Sequence, residues 1–309
     1  MKVVLLGATR RGILFLERLV QLLPAAQLSV FGFPEEPWEP PFLEELRALT
    51  VTSGGQFLEG KQVGADRFRS FWESTAVDLM FAVSWRFMIP ARVYNLPRLG
   101  TFVFHDSLLP EYRGFAPTVW SMINGEDHTG VTMFRIAEEV DAGDVVDQER
   151  VPIGPDETIH KIMERVTQTY LDLLERNLGR LVAGDVPLVA QDHSRATYTC
   201  KRLPQDNCIN WKASSESIYN LIRAVSAPYP GAHTYRSGEM LRIWSAQRLP
   251  DLRRYVGRVA GRVVEVRPGQ GSVVLTGDGG LLLTRVQLEG GQMQCAAEVL
   301  SSIGQTLGG

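Results

Sequence analysis

Cysteine and histidine are scarce in this 309-residue chain, which has 3 Cys and 5 His. The cysteines Cys200, Cys208 and Cys295 form no Cys-x-x-Cys pair, and the histidines are dispersed. This spacing argues against both a disulfide framework and a structural zinc site, so we expect no metal ion. The formal net charge is −3. Such a balance gives no support to a protein whose main partner is a nucleic acid.

Long hydrophobic runs are also missing near the N-terminus. The apolar run at residues 3–6 ends at Gly7, and Arg10 and Arg11 follow it. It is too short for a signal peptide or a membrane span, so we expect a cytoplasmic protein without membrane contact. The spacing G-x-G-x-x-G is not met either, because residues 7–12 lack the second glycine. A tight strand-to-helix turn explains Gly7 and Gly12 without a nicotinamide cofactor.

The first 200 residues alternate apolar runs with amphipathic segments. Continuous apolar runs indicate strands that are covered on both faces, and helical spacing of apolar residues indicates the helices between them. The predicted strands are 2–6, 28–33, 77–83 and 100–104, and the predicted helices include 13–23 and 156–182, with Asp156 as the candidate N-cap. This order is typical of an α/β domain with a Rossmann-like parallel sheet.

The character of the chain changes after about residue 205. One more helical pattern is followed by short alternating runs that glycine turns separate. The predicted strands are 241–244, 256–266, 272–275 and 281–286. This pattern predicts a small antiparallel β-barrel of the OB-like kind. We therefore expect two domains, over residues 1–200 and 201–309.

Two motifs stand out in the first domain. Residues 105–114 read H-D-S-L-L-P-E-Y-R-G, and residues 140–144 read V-D-A-G-D. The predicted strand ending at Phe104 delivers His105 to the carboxyl edge of the sheet, where ligands bind in open α/β folds. Imidazole titrates near neutrality and suits proton removal, and Asp141 could orient it. From the residues alone, a histidine bonded within a turn and a turn-forming aspartate stay open.

Together the two motifs resemble the catalytic core of the formyltransferases that use 10-formyltetrahydrofolate, which include methionyl-tRNA and sugar N-formyltransferases. Residues 209–211, 219–225 and 228–232 are similar to the start of that family's C-terminal domain. The resemblance therefore covers nearly the whole chain. It implies that residues 1–200 form the catalytic formyltransferase domain and that 10-formyltetrahydrofolate is the co-substrate.

The resemblance also implies roles for individual residues. His105 and Asp141 would be catalytic, and residues 84–90 match the place where the family lays the pterin ring. The implied folate-binding residues are Trp85, Arg86, Phe87, Met88, Ile89, Ser107, Leu108, Glu138 and Asp144, and the implied substrate-binding residues are Asp106, Arg113 and Gly114. Two alternatives stay open: the aromatic residues at 85 and 87 could belong to the core, and Arg113 could be paired internally.

One position departs from the family pattern. Val103 stands where the family has an asparagine whose amide donates to the formyl oxygen. Losing one such donor costs about 2.7–4 kcal/mol, or roughly 100- to 1,000-fold in rate. Either Asp106, Ser107 or a main-chain N–H takes over, or the site performs other chemistry. Hydrolysis of the formyl donor, another one-carbon step and a condensation are the options.

The acceptor is the remaining question. Members of the family that act on tRNA carry a basic insertion early in the first domain, whereas residues 34–41 here read P-E-E-P-W-E-P-P. An acidic stretch opposes binding to phosphates. We therefore expect a small-molecule amine: a nucleotide-linked amino sugar first, hydroxyornithine second, and methionyl-tRNA last. A non-catalytic binding protein is the hypothesis from another class, which His105 and Asp141 argue against. A homodimer stays open.

Overall fold

The computed structural model describes residues 1–37 and 39–308. Trp38, which belongs to the acidic proline-rich stretch, and Gly309 lie outside the described residues. The chain forms two compact units. Unit 1 comprises Met1–Gly114, Thr129–Val151 and Glu164–Thr199, and unit 2 comprises Phe115–His128, Pro152–Met163 and Cys200–Gly309. The domain limits 1–200 and 201–309 stay a prediction.

Strands and helices alternate over the first 199 residues. The strands are β1 (Lys2–Gly7), β2 (Gln27–Gly32), β3 (Gln56–Glu59), β4 (Leu79–Val83), β5 (Thr101–His105), β6 (Arg113–Gly114), β7 (His128–Arg135), β8 (Val145–Pro152) and β9 (Tyr198–Thr199). The helices are α1 (Thr9–Leu22), α2 (Leu43–Thr52), α3 (Arg69–Ser74), α4 (Ala91–Tyr94), α5 (Pro117–Ile123) and α6 (Ile159–Ala183), with short 3-10 turns at Asp66–Phe68 and His193–Arg195.

Unit 1 is built on a seven-stranded sheet in the order β3-β2-β1-β4-β5-β7-β8. Neighbouring strands from β3 to β5 are parallel, and β7 runs antiparallel to β5. All five residues of β4 are buried, as is the run Val3–Leu6 of β1. Side chains on both faces of these strands are therefore covered, as their continuous apolar sequence predicted. The α/β class expected for this part of the chain is confirmed.

The last hundred residues form an antiparallel sheet preceded by a helix. Their elements are α7 (Ser215–Ala224), β10 (Ala232–Arg236), β11 (Glu239–Arg248), β12 (Val263–Arg267), β13 (Gly271–Leu275), β14 (Gly280–Leu288), β15 (Gln294–Cys295) and α8 (Ala296–Val299), and a 3-10 turn lies at Pro204–Asn207. The sheet order is β10-β11-β14-β13-β12, with β15 beside β14.

The C-terminal segment links the two edges of this sheet. Leu307 forms a bridge with Arg236 in β10, and Thr306 forms one with Arg262 just before β12. Unpaired edge strands are a liability in β proteins, and pairing both edges with one segment removes much of it. The antiparallel β class predicted for this region is confirmed.

Two local predictions were wrong. The helix α6 begins at Ile159, and Asp156 does not cap it. The Asp156 carboxylate instead accepts hydrogen bonds from the Tyr219 hydroxyl (2.8 Å) and the Arg248 guanidinium (2.7 Å), both in unit 2. The predicted strand 256–266 forms only from residue 263, because Arg258 holds the earlier part to main-chain carbonyls at 276–279. Within the described residues, no helix is both long and apolar enough to cross a membrane.

Candidate active site

Three parallel strands of unit 1 bring their carboxyl ends to one edge of the sheet. Gly7 at the end of β1 pairs with Val83 at the end of β4, and Ala82 of β4 pairs with Val103 of β5. His105 is the last residue of β5 and therefore lies at this edge. Ligands bind at such an edge in open α/β sheets, so its position is the one that the sequence predicted for His105.

Side chains along β5 alternate between the two faces of the sheet, and this determines which of them share a face with His105. Phe104 stacks on Tyr170, with ring centroids 4.9 Å apart, and meets Phe15 edge-on at 5.2 Å. Because successive side chains of a strand point to opposite faces, Val103 and His105 share the other face. Val103 is half-buried there and packs against a hydrophobic cluster of unit 1. The departure from the family pattern thus lies on the same sheet face as His105.

The imidazole of His105 is buried, and both of its nitrogens face acceptors. Nε2 lies 2.8 Å from the main-chain oxygen of Tyr112. A carbonyl oxygen can only accept, so Nε2 carries a proton. Nδ1 lies 3.6 Å from Oδ2 of Asp141, which is ion-pair range but longer than a hydrogen bond.

Asp141 is fixed by its loop and by a glycine amide. Its φ angle of 53° is left-handed, a conformation that aspartate tolerates better than most residues. Its Oδ2 accepts a hydrogen bond of 2.8 Å from the Gly114 amide. Gly114 has a φ of 106°, and a Cβ there would lie 2.6 Å from the carbonyl oxygen of Thr199. Only glycine therefore fits at residue 114. Its hydrogen bond to Asp141 brings the end of the first motif into contact with the second motif.

The loop that follows His105 is held by hydrogen bonds to α1 and α6 and by one within the loop. The Asp106 carboxylate accepts hydrogen bonds from Arg11 (2.8 Å) and from the Tyr170 hydroxyl. Burial, and then the negative charge of Asp106, raise the pKa of Tyr170 well above its usual value. The Ser107 hydroxyl donates to the Glu111 carbonyl at 2.6 Å. Asp106 and Ser107 therefore make structural contacts, and their roles toward substrate and folate stay predictions.

Leu108, Glu138 and Asp144 were the other implied folate contacts outside the segment at 85–89. Leu108 is half-buried and packs against Gly130, where an added Cβ would lie 2.4 Å from its side chain. Glu138 and Asp144 are exposed on either side of Asp141. Both acids flank Asp141 in the sequence, and their roles toward folate stay predictions.

Arg113 is paired internally. Its side chain is 1% exposed, and its guanidinium donates to Oε1 of Gln191 (2.6 and 3.2 Å) and to the hydroxyl of Tyr198 (3.2 Å). A third neighbour is Nδ1 of His193, at 3.1 Å. In the described part of the chain, no carboxylate pairs with it. These contacts favour the structural alternative for Arg113. Gln191, which lies in neither motif, is part of the same hydrogen-bond network.

The segment Trp85–Ile89 follows β4 at the same edge. Trp85 and Phe87 both meet Phe33 edge-on, with centroids 5.2 and 4.9 Å away. Ile89 is buried in the core, whereas Met88 is 72% exposed. Arg86 is paired with Glu39. The segment is therefore partly core and partly open surface.

This segment also carries unused hydrogen-bond donors. The buried indole Nε1 of Trp85 has no hydrogen-bond partner among the described residues. The main-chain amides at 85–89 likewise donate to none of the residues that the structure describes. A buried donor without a partner is unusual and calls for an explanation. A flat heterocycle with acceptor atoms, lying on an apolar surface, would supply the missing partners.

Two family models match the chain. The model described as Formyl transferase matches residues 46–178, which contain both motifs, and the model described as Formyl transferase, C-terminal domain, matches residues 203–304. The chain belongs to the formyltransferase family. The resemblance drawn from the two motifs is thereby confirmed.

Solved structures with a similar fold include proteins named as formyltransferases. An N-formyltransferase from Helicobacter canadensis, in complex with folinic acid and dTDP-3-aminofucose, is 16% identical (TM-score 0.68; 95% of this chain and 100% of that one). A sugar N-formyltransferase from Shewanella sp. is 21% identical (TM-score 0.61; 79% and 96%). These identities establish a shared fold and nothing finer.

Another similar structure is longer than this formyltransferase-family protein. HypX from Aquifex aeolicus, in complex with tetrahydrofolic acid, is 19% identical (TM-score 0.63; 97% of this chain and 46% of that one). The chain spans about half the length of the HypX chains that it matches. The activity of the whole HypX protein therefore does not transfer to this one.

Proposed function

We propose that this protein transfers a formyl group from 10-formyltetrahydrofolate to the primary amine of a small molecule. The observation that carries the proposal is the pairing of His105 with Asp141 at the carboxyl edge of the sheet. Membership of the formyltransferase family supports the same reaction class. A nucleotide-linked amino sugar is the first candidate for the acceptor.

The chemistry requires one proton to move. The amine nitrogen forms a bond to the formyl carbon, the bond between that carbon and the folate nitrogen breaks, the amine loses a proton and the folate nitrogen gains one. His105 is the group placed to carry this proton. Asp141, held by the Gly114 amide, stabilises the imidazolium that forms.

The contacts of His105 must change before its ring can act as a base. A ring nitrogen must be free of protein acceptors before it can take a proton from the amine. Nδ1 faces Asp141, so the neutral ring must carry its proton on Nδ1, and Nε2 must be unprotonated and separate from the Tyr112 carbonyl. Tyr112 has a left-handed φ of 58°, which is strained for a bulky residue. We therefore expect the main chain at Tyr112 to change when substrates bind.

Residues Trp85 to Ile89 are the proposed folate site. The unused donors of this segment fit the acceptor atoms of a pterin, and its exposed part fits an apolar ring face. The folate would supply the formyl group, while the chain would supply orientation and hydrogen bonds. Folate-bound relatives of the same fold support this assignment without locating the residues.

Local charge supports a small acceptor over tRNA. In the acidic stretch at residues 34–41, Glu39 pairs with Arg86, and Glu36 lies 3.7 Å from Lys61. Arg86 and Lys61 are therefore already paired with acids of this stretch, which weakens any attraction to phosphates. The amino-sugar complex of the Helicobacter canadensis protein makes sugar nucleotides the first class to test, with hydroxyornithine second.

Val103 supports a second candidate function. A half-buried valine on the face of His105 cannot donate to a developing oxyanion. The site would then be suited to hydrolysis of the formyl donor or to another one-carbon or condensation step. Membership of the formyltransferase family makes formyl transfer the first candidate.

The direct test is release of tetrahydrofolate from 10-formyltetrahydrofolate. It should be run without acceptor, with nucleotide-linked amino sugars, with hydroxyornithine and with initiator methionyl-tRNA. Release that depends on an amino sugar supports the first proposal and names the substrate class. Release without any acceptor supports hydrolysis. Absence of release in every arm would contradict the proposed donor.

A further inference from the structure

Both the oxygen and the nitrogen of the Gln191 side-chain amide form hydrogen bonds. Its Oε1 accepts two hydrogen bonds from the guanidinium of Arg113, at 2.6 and 3.2 Å. Its Nε2 donates to the carbonyl oxygens of Asp141 (2.9 Å) and Gly143 (2.6 Å). The side chain is buried, so these four contacts are shielded from water. Every donor and acceptor that an amide offers is used.

These contacts join the two motifs. Arg113 is the neighbour of Gly114, whose amide holds the carboxylate of Asp141 at 2.8 Å. The Asp141 residue is therefore held twice: its carboxylate by Gly114, and its main chain by Gln191. Held in this way, its carboxylate lies 3.6 Å from Nδ1 of His105.

Residue 191 is glutamine rather than glutamate, and this shows whether Arg113 or the Asp141 loop requires the amide. A buried guanidinium is stabilised best by a carboxylate, and Arg113 has none among the residues described. Glutamate at 191 would fit Arg113 better than glutamine does. It would, however, turn an acceptor toward the carbonyl oxygens of Asp141 and Gly143. The Asp141 loop, rather than Arg113, therefore requires the amide.

We propose that Gln191 is a positioning residue for the reaction, which sets Asp141 against His105 by donating to the Asp141 and Gly143 carbonyls. This inference rests on the proposed function for its effect on turnover. Its effect on geometry is independent of any substrate. Gln191 touches neither His105 nor the reacting groups, so it acts through Asp141.

Gln191→Glu separates positioning from stability. The variant gives Arg113 a carboxylate partner and turns an acceptor toward the loop carbonyls. The gain at Arg113 should offset the loss at the loop, so we expect its Tm to stay close to that of the wild type. The kcat for formyl transfer should fall by about 100-fold, the order of loss that a misplacement of about 1 Å causes. The KM values should change by less than about threefold, since the binding contacts remain.

The readout that needs no activity is hydrogen exchange of the Gly114 amide. Asp141→Ala removes its acceptor and defines the fastest exchange. In Gln191→Glu the same amide should exchange at least about tenfold faster than in the wild type, while other amides of unit 1 keep their rates. Asn177→Asp is the matched control, because Asn177 is another buried amide of unit 1 and donates to Asp147 and Leu173. It should leave Gly114 exchange and kcat unchanged.

Three results would overturn the proposal. One is unchanged Gly114 exchange in Gln191→Glu. Another is faster exchange spread evenly over unit 1, which would make Gln191 merely structural. A third is a kcat within twofold of the wild type. If the wild-type protein transfers no formyl group, the proposed function fails, and the exchange measurement still decides whether Gln191 positions Asp141.

Discussion

Oδ2 of Asp141 lies 3.6 Å from Nδ1 of His105 while it accepts a hydrogen bond of 2.8 Å from the Gly114 amide. The carboxylate is thus held in place before any proton moves. An anion fixed beside an imidazole favours the protonated ring, so its contribution appears when His105 takes the proton of the amine.

Asp141→Asn tests this electrostatic role. The substitution keeps the size of the side chain and removes its charge, so we expect kcat to fall by at least about 100-fold with little change in KM. Steady-state kinetics with the identified acceptor measures both. Asp185→Asn, at an exposed acid outside the motifs, is the control and should leave kcat unchanged. Wild-type turnover in Asp141→Asn would remove Asp141 from the mechanism.

Val103→Asn distinguishes the two candidate functions. If formyl transfer is the native reaction, a new donor should raise its rate, by up to the roughly 100- to 1,000-fold that one such donor is worth. Val103→Leu has about the size of asparagine without a donor and controls for packing. A loss of activity in Val103→Asn, with Val103→Leu unaffected, would show that the site was rebuilt around an apolar residue for another reaction.

Trp85→Phe tests the unused indole donor. The protein alone should lose little stability, because Nε1 bonds to no described residue. If the donor meets the folate, the Kd for tetrahydrofolate should rise by roughly 5- to 10-fold, the value of one hydrogen bond. Trp72→Phe is the contrasting variant, since its indole donates to the Val63 carbonyl at 2.7 Å. It should lower Tm and leave folate affinity unchanged; the reverse pattern would refute the assignment.

Asp156→Asn should destabilise the protein in a pH-dependent way. Hydrogen bonds from Tyr219 and then from Arg248 hold the pKa of Asp156 below its usual value. A carboxyl group with a lowered pKa adds stability above its unfolded pKa, and this stability is lost as the pH falls through its folded pKa. The Tm difference between variant and wild type should therefore be present at pH 7 and shrink progressively as the pH falls below about 4. A difference that is constant with pH would contradict the ionic contribution.

The sequence predicted the parts of the site that motifs encode. His105 follows a buried strand, and the family resemblance implied that Asp141 acts with it, whereas the hydrogen bond from Gly114 to Asp141 was not predicted. Val103 was visible as a departure. The buried strands themselves followed from continuous apolar runs, because such runs predict strands covered on both faces, but their order in the sheet did not.

Other features depend on contacts between residues far apart in the chain. Gln191 meets Arg113 and Asp141 through hydrogen bonds that no local pattern announces. Asp156 was expected to cap α6 because it precedes a helical pattern, but Tyr219 and Arg248 bind its carboxylate instead. The two-residue pairing of β6 with β9 is too short to leave a periodic signal. Tertiary partners, rather than local propensity, decide all three.

The central claim is that His105 carries the proton during formyl transfer. The most direct test is transfer of a labelled formyl group from 10-formyltetrahydrofolate to the acceptor by wild-type protein and by His105→Ala, with circular dichroism to confirm that the variant folds. The account predicts labelled product from the wild type and a loss of at least about 100-fold in the variant. Activity of the folded variant within twofold of the wild type would contradict it.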